Sequence, residues 1–181
     1  MKEFIYNEMM VHVPLCTHKE PKRILIISND AAGLEKEVEK HTNITLDKIE
    51  CSLDNVSKLE DSKYDVIISE MEGDSLFISQ INRVLSEDGI LVIKHPNLDK
   101  IEENKSIMQT LGNYFKIIMP YNLGNGETAL LCSHTYHPTA DLILQRTDML
   151  DGLEYYNCDI HPAAFAMGNN VRKTYLGIIK N

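Results

Sequence analysis

Asp30, Glu50, Asp54, Glu70 and Glu72 stand in three short segments, 28–33, 50–55 and 69–74, where stretches that read as strands give way to loops. A carboxylate at such a point can hold a cation or accept a proton in a reaction. It can equally cap the helix that follows. His134 and His137 have no cysteine or pair of acids beside them. Cys16, Cys51, Cys132 and Cys158 are widely spaced with no Cys-x-x-Cys pair, so no metal-ligand spacing is present. This pattern predicts four reduced thiols in a cytoplasm and no metal.

The elements that would position these acids alternate along the chain. Arg23–Ile27, Ile44–Cys51, Tyr64–Ile68, Ile90–Ile93, Phe115–Met119 and Thr128–Ser133 read as strands. Helical stretches are expected over Leu34–His41, Ser75–Leu85 and about Leu98–Tyr114, with a turn at Asp88-Gly89. Apolar strands separated by amphipathic helices predict an α/β fold, a mostly parallel sheet with helices on both faces. Ligands of such sheets sit beyond the carboxyl ends of the strands. That rule selects 28–33, 50–55, 69–74 and 120–126. In the first, Ser28-Asn-Asp-Ala-Ala-Gly33, only Gly33 has the freedom that phosphate- and nucleoside-binding turns use.

With 181 residues, 43% of them hydrophobic, and no Pro/Gly/Ser-rich linker, the chain is expected to form one domain, 1–181. The net charge of −9 disfavours nucleic acid and anionic membrane as partners, because both need a basic face. No apolar run approaches a membrane span, and residues 1–15 lack the plan of a signal peptide. A soluble cytoplasmic protein is expected.

Two terminal segments carry a resemblance. Glu3-Phe-Ile-Tyr-Asn-Glu-Met-Met10, continued by His12-Val-Pro-Leu15 and His18, resembles the stretch EFxY(H/Q)EMxxHxPLxxH that opens the catalytic domain of spermidine synthases. Glu154–Ala166, EYYNCDIHPAAFA, resembles the family's YYNxxIHxAAFA. Between them the order of LII, Glu-Val-x-Lys-His, YDVII, SLF and an Asp-Gly turn is kept, so the likeness covers nearly the whole chain. It implies a methyltransferase-like Rossmann fold. It also implies transfer of an aminopropyl group from decarboxylated S-adenosylmethionine, a co-substrate rather than a cofactor, to putrescine, giving spermidine and methylthioadenosine. A homodimer or homotetramer is implied as well, and the family's small N-terminal β domain has no counterpart in this sequence.

Residue by residue, the resemblance implies diamine contacts from Tyr6, Glu70, Glu72 and Tyr121, with Glu70 falling on the catalytic acid after YDVII. Nucleoside contacts are implied for Asn7, Asp30, either Glu50 or Asp47, and Asp54 with Asn55. The departures are specific. Ser28, Asn29, Ala31 and Ala32 replace glycines and narrow the room for the nucleoside. Glu70 replaces an aspartate. The IPTY tyrosine falls by count on Asn122, beside Tyr121. About one helix and strand are missing between Ile44 and Tyr64, and the loop before SLF is almost absent. These losses keep open two alternatives, a catalytically impaired member that only binds nucleoside or polyamine and an S-adenosylmethionine-dependent methyltransferase.

Overall fold

Along Arg23–Ile27, Ile24 and Ile26 point to one side of the sheet while Leu25 and Ile27 point to the other, and all four are fully buried. Strands apolar on both faces require cover on both faces. The computed structural model describes residues 3–181 and supplies that cover. The chain runs α1 (Glu3–Thr17), β1 (Arg23–Ile27), α2 (Ala32–Val38), β2 (Thr45–Ile49), α3 (Leu53–Ser57), β3 (Tyr64–Ser69), α4 (Ser75–Val84) and β4 (Leu85–Lys94). It continues through α5 (Ile101–Leu111), β5 (Ile117–Asn122), β6 (Thr128–Ser133), α6 (Leu144–Asp148), α7 (Ile160–Ala164) and α8 (Asn169–Thr174). The six strands are ordered β2-β1-β3-β4-β6-β5, and only β6 runs against the rest. The expected mostly parallel α/β sheet is therefore present.

α1, α2 and the segment holding Tyr156 and Phe165 pack on the Ile24/Ile26 face. α3, α4 and α5 pack on the other, with Val56, Phe77, Ile81, Met108 and Leu111 against Leu25, Ile67, Leu91 and Ile93. Some boundaries differ from expectation. β4 begins at Leu85, before the Asp88-Gly89 turn, because Leu85 pairs with Tyr64 across a register shift. The helix expected from Leu98 begins at Ile101, since Asn104 reaches back to the carbonyls of Pro96, Asn97 and Lys100 and fixes the turn ahead of it. The strand expected at Phe115–Met119 is displaced to Ile117–Asn122, where Tyr121 and Pro120 pair with Ala129 and Leu130. The shortened stretch between β2 and β3 holds the one-turn helix α3.

α1 is buried from Glu8 to Thr17, so its ends must find partners inside the protein. Arg146 donates to the carbonyls of Leu15, His18 and Lys19, and the Ile143 N–H to that of Cys16, which caps the carboxyl end. Near the other end, the Glu8 carboxylate accepts the N–H groups of Glu154, Tyr155 and Tyr156 at 2.9, 2.9 and 2.7 Å. The two terminal motifs of the sequence thus meet at one buried carboxylate. The rest of the second motif is also taken up in packing. Asn157 Oδ1 accepts the N–H groups of Asp159 and Ile160 at the start of α7, and Phe165 lies on Tyr121 with ring centroids 5.1 Å apart.

His161 is buried with Nε2 2.9 Å from the Pro138 carbonyl and Nδ1 2.6 Å from the Tyr156 hydroxyl. A carbonyl only accepts, so Nε2 carries the proton and Nδ1 accepts from Tyr156. Burial lowers the pKa of His161 to about 4 and that of His41 to about 3, where the charge of His12 adds to the effect. The unfolded chain binds a proton at each near pH 6.5 while the folded chain does not, so stability is complete above pH 6.5 and is lost as pH falls below it. Urea midpoints are expected to record a loss of about 2 kcal/mol per histidine at pH 5. His161→Gln should remove one such share from the slope. A profile flat from pH 7.5 to pH 5 would contradict these assignments.

Candidate functional site

α2 follows β1 onto one face of the sheet and α4 follows β3 onto the other, so the gap beyond the carboxyl ends of β1 and β3 is the topological switch point. Ile27 pairs with Ser69, and the Glu70 N–H donates to the Ile27 carbonyl at 2.9 Å, which carries the pairing one residue past the strands. Ser28 and Glu70 therefore leave the sheet side by side. The Ser28 hydroxyl donates to Glu70 Oε2 and accepts the Asp30 N–H at 3.0 Å. Tyr6, delivered by α1, donates its hydroxyl to Glu70 Oε1 at 2.6 Å. Both carboxylate oxygens thus receive a hydroxyl. Burial, then the hydrogen bond to Glu70 and its charge, push the Tyr6 hydroxyl far above the ordinary tyrosine range, so Tyr6 stays a neutral donor.

Lys94, the last residue of β4, places Nζ 5.2 Å from the centroid of the Tyr6 ring. Cys51 lies in the same field. Burial first and the charge of Glu70 second raise its thiol above the usual range, which keeps it protonated at neutral pH.

Next to this cluster lies a shallow depression of about 350 Å³ lined by residues 28–32, Glu35, Lys48, Ile49 and Glu50. Its volume is within the range of small-molecule pockets. Asp30 and Glu50 are exposed on it. Asn29 Oδ1 accepts the Cys51 N–H at 3.0 Å, so the side chain standing in a glycine's place ties the ends of β1 and β2 together. Gly33 keeps its own reason to be glycine, because a Cβ there would collide with the amide of Asn7.

The structure thus brings Tyr6, Asn7, Asp30, Glu50 and Glu70 to one end of the sheet and leaves other expected residues apart. Asp47 lies mid-strand in β2, where it accepts the Tyr64 hydroxyl at 2.7 Å and pairs with Lys63 at 3.2 Å. Of the two acids considered for the end of β2, Glu50 is the one at the depression. Asp54 is exposed in the first turn of α3 and pairs with Lys58 at 2.5 Å, an ordinary i,i+4 contact. Tyr121 is fully buried, with its hydroxyl 3.3 Å from the Met9 carbonyl. Glu72 is exposed and makes no hydrogen bond or ion pair among the described residues, while its charge reaches buried His95. Asp74 shows the capping role of such acids, accepting the Phe77 N–H at 2.9 Å at the start of α4.

Sequence reading passed over Ser28 as a contact to Glu70 and Lys94 altogether. Lys94 closes an apolar strand at its carboxyl end, and the same positional rule that selected Glu70 would have selected it.

At the opposite end of the sheet, His18, Asp65 and Asp88 bring potential metal-ligating atoms within 4.8 Å of one another. His18 Nδ1 accepts the Glu20 N–H at 3.2 Å, so in the neutral ring the proton sits on Nε2, which offers no lone pair to a metal. The two acids fasten structure there instead. Asp65 accepts the N–H groups of Lys22 and Arg23, and Asp88 accepts the Tyr136 hydroxyl.

A mostly parallel sheet with an acid and two hydroxyls converging at its switch point defines a Rossmann-type fold whose candidate site lies where such sheets take small ligands. A family model described as the spermine/spermidine synthase domain matches residues 3–56. A polyamine aminopropyltransferase of Helicobacter acinonychis is 28% identical, with 99% of this chain and 80% of the relative covered. One from Clostridium acetobutylicum is 29% identical, with 93% and 77% covered. The solved structure of spermidine synthase from Thermotoga maritima superposes with a TM-score of 0.83 at 25% identity, over 98% of this chain and 75% of that one. The chain is thus similar to spermidine synthases and polyamine aminopropyltransferases over nearly its whole length. Among the described residues, no helix is long and apolar enough to cross a membrane.

Proposed function

We propose that this chain transfers an aminopropyl group from decarboxylated S-adenosylmethionine to putrescine, giving spermidine and methylthioadenosine. The observation that carries the reading is Glu70 at the switch point, held from both sides by the hydroxyls of Tyr6 and Ser28. An alkyl amine is protonated in water, with a pKa of about 10 like that of lysine, and is no nucleophile in that form. Glu70 would hold the ammonium and take its proton. The freed nitrogen attacks the carbon next to the sulfonium, a C–N bond forms, and the C–S pair returns to sulfur. Methylthioadenosine leaves neutral, so the step needs positioning rather than an acid.

In this reading the depression beside β2 seats the nucleoside, with Asp30 and Glu50 turned to its ribose and Asn7 near the adenosyl group. Glu72 extends the acidic edge toward the far end of the amine. A binding-only role has one specific observation in its favour, namely that both Glu70 oxygens are occupied by the protein's own hydroxyls.

Incubation with putrescine and decarboxylated S-adenosylmethionine tests the reading. Methylthioadenosine and spermidine should appear in equal amounts and only when putrescine is present. No methylthioadenosine at high protein concentration would leave the binding role.

A further inference from the structure

We propose that Lys94 limits the affinity of this site for amines: its tethered ammonium takes the place over Tyr6 that an acceptor's ammonium would occupy beside Glu70. The inference rests on the aminopropyl-transfer reading for the class of ligand. Ser69 pairs with Ile93, so Glu70 and Lys94 leave adjacent strands at the same level. Lys94 Nζ lies 5.2 Å from the centroid of the ring whose hydroxyl donates to Glu70. A cation within about 6 Å of a tyrosine face is drawn to the ring's quadrupole. The ring and the carboxylate together form one cation-attracting well, and the lysine already stands at its edge.

An incoming ammonium meets a like charge at the edge of this well, and a like charge disfavours the charged form, each pKa unit of such repulsion being worth about tenfold in binding. Lys94 makes no ion pair or hydrogen bond through Nζ among the described residues, so only its flexible stem and the Tyr6 ring keep it there and a ligand can displace it. Binding of a diamine therefore includes the expulsion of this internal ammonium.

Titration calorimetry with putrescine on the wild-type chain, K94Q and K94R tests this. K94Q should bind on the order of tenfold more tightly, while K94R, which keeps the charge, should bind as the wild type does. Thermal melting is expected to be unchanged in both, and K94M should repeat the K94Q result without a new hydrogen-bonding group. In turnover, K94Q should lower KM for putrescine with little change in kcat. Equal or weaker binding by K94Q and K94M, or no measurable binding by any of the proteins, overturns the proposal. If no protein releases methylthioadenosine yet K94Q binds the amine more tightly, the transfer reading fails and this inference stands. If the wild type turns over and K94Q does not lower KM, only the inference fails.

Discussion

Glu70→Gln is expected to lower kcat for methylthioadenosine release by about 10²–10⁴-fold, the usual worth of a positioned general base. Glutamine has the shape of glutamate but neither attracts an ammonium nor accepts its proton at neutral pH. Its carbonyl can still take one hydroxyl, from Tyr6 or Ser28, and the other hydroxyl can rotate to accept from the new amide. Melting should therefore move little while turnover collapses. Glu70→Asp separates geometry from charge. It keeps the carboxylate but withdraws it by about one methylene, and a displacement near 1 Å can cost on the order of a hundredfold. In this chain aspartate would leave the reach of the Tyr6 and Ser28 hydroxyls, so the residue expected at this point from the family should not restore full rate. Steady-state kinetics on both variants, with circular dichroism as a check of folding, decide the matter. Wild-type kcat in Glu70→Gln would remove Glu70 from the chemistry.

How much of this could be read from the residues alone depends on the length scale of the signal. β1 and β3 were legible because uninterrupted apolar residues bury both faces. The first part of β4 was not, since Ser86-Glu87-Asp88-Gly89 looks like a turn and only the pairing of Leu85 with Tyr64 makes it a strand. α3, α6, α7 and α8 span five or six residues, too short for a helical period to declare itself. At the site, the strand-end rule located Glu70, Asp30 and Glu50, and the resemblance located Tyr6. Asp47 could not be told from Glu50 by counting. The choice rests on Tyr64 and Lys63, which belong to another strand's entrance. Tyr121 beside Asn122 posed the same difficulty. The pleat of β5 turns the tyrosine into the core, while Asn122 donates to the Ala164 carbonyl. The strand-end rule reaches Lys94 as a position, but its significance lies in Tyr6, which the fold brings to it from the first turns of α1.

Glu8→Ala should be the most destabilising single substitution among those considered, at about 3–5 kcal/mol. Glu8 is 1% exposed and accepts three backbone N–H groups, those of Glu154, Tyr155 and Tyr156. No lysine or arginine pairs with it among the described residues, so successive backbone dipoles hold the charge, as in other anion-binding concavities. Each buried N–H left without a partner costs about 1–3 kcal/mol. The three are not independent, since residues 154–156 can move together toward water, which holds the sum near the middle of the possible range. Against a typical total of about 5–15 kcal/mol, that is a large share. Glu8→Gln should fall between, because its amide would set a donor against donors. Urea midpoints measure these losses, and limited proteolysis should show 154–166 becoming cleavable first. Tyr6 lies half a turn before Glu8 on the same helix, so activity should fall together with stability, unlike in Glu70→Gln, where it falls alone. A loss below about 1 kcal/mol would mean that water or another side chain replaces the carboxylate. The link between the two terminal motifs would then rest on packing of Tyr156 and Phe165 rather than on this one acid.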